Sequence, residues 1–200
     1  MIIGSLLLAV SLACPAFLVI ALFPITAGDH SRAVEFLTLS LAGLFLHVFL
    51  GPLVEEIVYR GLFLQVGRRY LPAWTAVGLS SLVFALTHLM RGPATVLIAF
   101  AMSLLISWVF IRSGSLIPGY VLHATFNYAA LFVVAPMLNF TDKQLAVAPG
   151  SRIPLGELMP AWWIGISIAV AIGSIVLLRR EFKRDKTGLD ARAKLVANVA

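Results

Sequence analysis

Six uncharged runs, at residues 2–23, 36–54, 70–90, 92–111, 113–141 and 158–178, make up most of this 200-residue chain. Each approaches or exceeds the roughly 20 apolar residues that a helix needs to cross the hydrocarbon of a bilayer. Barrel strands would be about 10 residues long and would alternate apolar with polar side chains, a pattern these runs lack. The sequence therefore predicts an all-α polytopic membrane protein, a bundle of about six transmembrane helices. Composition points the same way: 60% of residues are hydrophobic and 12% charged, against roughly 25% charged in a soluble domain.

The net charge of +6 does not call for a nucleic-acid partner, because the positive residues are concentrated rather than spread over a folded surface. They gather in Arg179-Arg-Glu-Phe-Lys-Arg-Asp-Lys186, directly after the last apolar run, with Arg192 and Lys194 beyond. The positive-inside rule makes this tail cytoplasmic. Six spans then put the N-terminus and the turns at Arg68-Arg69 and Arg112 inside, and the loops with Arg32, Arg91, Lys143 and Arg152 outside. Trp162 and Trp163 open the last span as interfacial anchors. The expected location is an integral, multi-pass position in a bacterial inner membrane.

Residues 1–180 read as a single transmembrane helical domain and 181–200 as a basic cytoplasmic tail that extends the last helix or frays. The first run lacks the basic start of a secretory signal, so it is expected to be a retained helix. Cys14, the single cysteine, lies in that helix in a packing role. Pro24 to Arg32 separates the first two helices, and Asn139 to Pro160 forms the one long loop.

The second run is unusual, because apolar character continues past Glu55, Glu56 and Arg60 to Gly67. Gly51-Pro52 predicts a kink or a restart there, with both glutamates in the first turn of a new helix and its dipole favouring their charge. Taking the turn at Arg69 to Pro72 as the tip of a hairpin, Glu55 and His88 each lie about 23 Å up its arms. They should meet at one depth. The small residues of Ala76-Val-Gly-Leu-Ser-Ser81 would let the two helices approach closely.

Ionisable residues inside a membrane span are costly and usually functional. Here they fall into three clusters: Glu55-Glu56-Ile-Val-Tyr-Arg60, Phe84-Ala-Leu-Thr-His88 and His123-Ala-Thr-Phe-Asn127. Four-residue spacing puts Glu56 beside Arg60, Phe84 beside His88 and His123 beside Asn127, each pair on one helical face.

In order and spacing, these clusters resemble the CPBP family of intramembrane proteases, whose pattern is Glu-Glu-x-x-x-Arg, Phe-x-x-x-His and His-x-x-x-Asn. That family includes type II CAAX prenyl endopeptidases and bacterial relatives tied to bacteriocin self-immunity or peptide maturation. The resemblance implies an intramembrane endopeptidase acting on a membrane-associated or lipid-modified protein or peptide. Glu55 would be the general base for the hydrolytic water and His88 would share that water. His123 and Asn127 would bind the carbonyl oxygen as it becomes an oxyanion, with Glu56 and Arg60 as a supporting ion pair. Amide hydrolysis needs both a base and donors aimed at the developing charge, and these residue types supply them.

Two histidines and a glutamate could also hold zinc, but the His-Glu-x-x-His helix of a zinc protease is missing. The expectation is hydrolysis without a cofactor or metal. Phe84, Tyr59, Tyr120 and Tyr128 are read as packing residues, His47 as a helix contact or cavity lining, and His30 as a loop residue. Intramembrane Glu, Arg and His also suit a proton- or ion-coupled transporter, although no inverted repeat is visible. A third reading is a non-catalytic immunity or scaffold protein of the same fold.

Overall fold

The computed structural model describes residues 1–24, 40–137, 143, 145–148, 150–154 and 160–197. Among them no strand occurs, and six helices longer than ten residues form the bundle. They are α1 Ile2–Ala21, α2 Leu41–Tyr70, α3 Ala73–Leu86, α4 Pro93–Ser113, α5 Leu116–Val134 and α6 Ala161–Ala197. All but α3 are long and apolar enough to cross a membrane. The expected breaks at Pro24 to Arg32 and Asn139 to Pro160, together with His30, lie largely outside the described residues.

Helix α1 packs among α4, α5 and α6. Leu8 and Ala9 join Met102, Ile106, Leu122 and Leu178 in one buried cluster, while Phe17 and Ala21 pack with Ala129 and Val134 in a second. Gly4 sits so close to α6 that a Cβ there would lie 2.8 Å from the Leu178 side chain. Helix α2 lies against α3 and α5, so much of its own surface faces outward as apolar side chains such as Leu46, Phe49, Leu53 and Phe63. In a bilayer that face meets acyl chains, which stabilise it as a protein core would.

The α4–α5 turn reads directly from sequence. Gly114 takes the left-handed conformation (φ 66°) and its N–H closes α4 on the Phe110 carbonyl at 2.8 Å. Ser115 then caps α5, its side chain accepting from the Ile117 N–H.

Two elements differ from the sequence expectation. The third helix is 14 residues long, because it ends at the site. The Thr87 hydroxyl and the His88 ring both bond the Phe84 carbonyl, at 2.7 and 3.1 Å, while the His88 N–H goes to Ala85 instead. The second helix does not restart at Gly51-Pro52. It runs through as one 30-residue helix, accommodating the proline with a wide π-type turn over Leu46–Leu50, and a second such turn follows at Ile57–Leu64. Glu55 and Glu56 therefore lie mid-helix, between two segments of a type frequent at functional sites. No helix terminus is there to stabilise their charge, and other side chains must do so.

One end of the bundle gathers the basic residues. Trp108 meets Phe182 edge-on at 5.4 Å, which puts the end of α4, with Arg112, level with Arg179 and Arg180. The end of α2, with Arg68 and Arg69, lies toward the same end, since Leu64 packs with Phe110 and Val77. At the other end Trp162 and Trp163 stack at 6.1 Å, Trp162 facing outward and Trp163 packing against the α1–α5 cluster.

Candidate active site

The site is built around Arg60, which is fully buried. A guanidinium in such a place needs an anion and filled donors. One terminal nitrogen binds Glu56 Oε1 at 3.0 Å, one turn back on α2; the other binds the Ser103 hydroxyl at 2.8 Å and its carbonyl at 3.2 Å on α4. Its Cζ lies 5.1 Å from the centre of the Phe84 ring, a cation–π contact strengthened by the absence of water.

Glu56, 1% exposed, also accepts from His123 on α5, Nδ1 to Oε1 at 2.8 Å. Its neighbour Glu55 points elsewhere and is 37% exposed. The two adjacent carboxylates thus have opposite surroundings: Glu56 is fixed by two donors, and Glu55 opens toward the space beside His123. The other His123 nitrogen, Nε2, faces Glu55 Oε2 at 3.5 Å, too long for a hydrogen bond.

Gly119 allows this close approach. A Cβ there would lie 3.0 Å from Ile106 Cγ2 and 3.7 Å from Glu56 Oε2.

The register of the α2–α3 hairpin sets the position of His88. Gly67 faces Ala76 at one end, the Tyr59 carbonyl accepts from Ser80, and the Tyr59 ring meets Phe84 edge-on at 5.1 Å. The same register carries Phe84, with the His88 ring packed on it, beside His123. With Nδ1 bonded to the Phe84 carbonyl, the neutral ring has its proton there and its Nε2 free to accept. Phe84 is the shared floor, its ring 4.9 Å from that of His88 and 5.9 Å from that of His123.

Asn127 lies one turn beyond His123, half-buried, and its side-chain amide donates to the His47 carbonyl on α2 at 3.4 Å. Glu56, Arg60 and His123 are thus joined by direct contacts with Glu55 beside them, His88 is linked to His123 through the Phe84 ring, and Asn127 lies one turn along α5 from His123. Sequence reasoning missed three participants: Ser103, Gly119 and the His47 carbonyl. For Ser103 a signal existed, a hydroxyl repeated four residues later at Ser107 within an apolar run. Tyr59 packs with Phe63 and Phe84, and Tyr128 with Phe132.

Residues 37–129 match the family model described as Type II CAAX prenyl endopeptidase Rce1-like. Over that segment, a little under half of its length, the chain is similar to Rce1-like proteases. All six site residues lie inside the matched segment, which runs from just before α2 into α5. This similarity, together with the five long apolar helices, supports an integral membrane protein related to the CPBP intramembrane proteases. No curated protein and no solved structure matches the chain.

A metal can be tested against these donors. Glu56 Oε1 is committed to Arg60 and His123, and His88 Nδ1 to a carbonyl. Among the described residues no three His, Cys, Asp or Glu side chains gather as a metal-binding group. Glu55 and the Nε2 atoms of His88 and His123 are not tied up in this way, and the mechanism proposed for them uses the side chains alone.

Proposed function

We propose that the Rce1-like domain is a glutamate-type intramembrane endopeptidase, with Glu55 as general base and His123 and Asn127 as the oxyanion donors. The observation that carries this reading is the seating of His123 between two unlike carboxylates. One holds its Nδ1–H in the protein interior; the other stands half-exposed before its Nε2.

The 3.5 Å gap between Glu55 and His123 separates a proton acceptor from a donor, the two functions that must flank a scissile amide. Glu55 takes a proton from water while His88 Nε2 accepts the other water hydrogen and orients the molecule. The hydroxide attacks the carbonyl carbon, and the C=O electron pair moves to oxygen. An N–H at His123 Nε2 and an Asn127 amide N–H stabilise that oxyanion. When the tetrahedral centre collapses, the C–N bond breaks and the proton held by Glu55 passes to the leaving amine. The products are a carboxylic acid and an amine, and the acid passes its proton to the amine or to solvent as it ionises.

Glu56 and Arg60 take no proton in this scheme. Glu56, paired with Arg60, accepts from Nδ1 of His123, and His123 therefore presents Nε2 to the substrate. The substrate is a membrane-associated or lipid-modified protein or peptide entering from the bilayer, and the basic end of the bundle faces the cytoplasm of a bacterial cell.

The test uses purified protein in lipid nanodiscs with two membrane-anchored peptide panels, one farnesylated at a C-terminal CAAX and one carrying an unprenylated transmembrane anchor. Cleavage by the wild type and its loss in folded Glu55→Gln and His88→Ala support the reading. Full processing by either folded variant overturns it.

A further inference from the structure

The wide turn at the start of α2 has a consequence for Asn127. In an α-helix the His47 carbonyl would accept from the N–H four residues on, at Gly51. Here the Gly51 N–H goes instead to Leu46, five residues back, where a glycine is needed because a Cβ would lie 3.0 Å from that same oxygen. Carried on by one residue, this wide register assigns His47 the N–H of residue 52. Residue 52 is proline and has none. The His47 carbonyl takes its hydrogen from the Asn127 side chain, 80 positions away on α5.

We propose that Pro52 is a positioning residue: by withholding a backbone N–H, it gives the His47 carbonyl to Asn127 and so sets the direction of the Asn127 amide. This rests on the reading of Asn127 as an oxyanion donor. A primary amide has two N–H bonds in one plane. When the first is tied to His47, the plane is fixed and the second N–H has a defined direction. An unanchored amide would rotate about its last torsion, which is broad and roughly two-fold. The geometry also accounts for a buried proline in the interior of a helix that continues for eighteen residues beyond it, where it would otherwise only weaken the helix.

Replacing proline by alanine restores the N–H. That donor then competes for the His47 carbonyl without removing any part of the proposed machinery. Pro52→Ala should fold to wild-type levels and keep KM within about two-fold, while kcat falls roughly ten-fold, in line with the sensitivity of catalysis to small misplacements of a polar group.

A second measurement is independent of activity. The chain contains three asparagines, Asn127, Asn139 and Asn198, so selective 15N-asparagine labelling gives three side-chain amide pairs in NMR spectra, and Asn127→Ala assigns the relevant one by deletion. In wild type one Asn127 amide proton should lie downfield of its geminal partner by more than in an unbonded amide; in Pro52→Ala that difference should shrink. Unchanged Asn127 resonances in Pro52→Ala overturn the proposal. So does an unchanged kcat, or a loss that appears wholly in KM. Full activity in folded Asn127→Ala is a different failure: it removes the oxyanion role from Asn127 and with it the functional reading of this site, whatever the amide spectra show.

Discussion

His123 Nδ1 lies 2.8 Å from Glu56 Oε1, joining residues 67 positions apart on α5 and α2. The same carboxylate oxygen accepts from Arg60 at 3.0 Å. One oxygen therefore sets both the charge balance of a buried cation and the orientation of a ring proposed to be catalytic. The consequences for Glu55 and Glu56 diverge sharply, although the two are neighbours in sequence.

Glu55→Gln keeps size and shape at a half-exposed position and removes the base. Folded protein should remain at wild-type levels while cleavage drops by about 10²- to 10⁴-fold. Glu56→Gln instead leaves the Arg60 guanidinium buried without its anion, a loss of about 3–5 kcal/mol, and should deplete folded protein in the membrane. Size-exclusion profiles and cleavage assays of the two variants side by side decide this. Equal yields would show that Glu56 does not hold Arg60 in the way its contacts indicate.

Ser103 is a support for Arg60, and its hydroxyl is replaceable. Ser103→Ala removes a hydrogen bond to a charged group, worth about 1.5–3 kcal/mol, while the carbonyl contact stays. Thermal unfolding in detergent should shift downward in wild type and far less in an Arg60→Met background. A full effect in both backgrounds would place the hydroxyl's contribution somewhere other than Arg60.

Chelation should leave the enzyme active. Exhaustive treatment with EDTA and 1,10-phenanthroline is expected to leave the cleavage rate unchanged, with less than one equivalent of zinc by elemental analysis of active protein. Parallel loss of stoichiometric metal and activity, restored by zinc, would reverse the assignment of the water to Glu55 and His88 alone.

Gly4→Ala tests whether stability and catalysis separate. Its Cβ would enter the Leu178 side chain at 2.8 Å at the α1–α6 contact, remote from Glu55. Overpacking of this kind costs about 1–3 kcal/mol. The midpoint of thermal unfolding should fall while kcat of the folded fraction stays the same.

The basic end of the bundle predicts topology. Reporter fusions after residue 184 should behave as cytoplasmic, and a cysteine introduced at Trp162 should label from the opposite side. The reverse result would separate the positive-inside reading from the orientation of the site.

Much of this arrangement was legible in the sequence, because it depends on local spacing. Runs of uncharged residues announce helices by length alone, and four-residue intervals pair Glu56 with Arg60 and Phe84 with His88, each on one face. Gly51-Pro52 misled, since a proline breaks a regular α-helix but a locally widened one can carry it, and sequence does not reveal which hydrogen-bond register a helix adopts. What only the tertiary structure decided is the partnership across helices: Ser103 under Arg60, Gly119 giving room beside Glu56, His123 turned toward Glu56 rather than toward Asn127 alone, and Asn127 held by the His47 carbonyl. Those contacts depend on the rotation and depth of each helix against the others, which the packing of many weak apolar contacts sets. A helix reports its own period in its sequence; its angle to a neighbour 80 residues away is a property of both together.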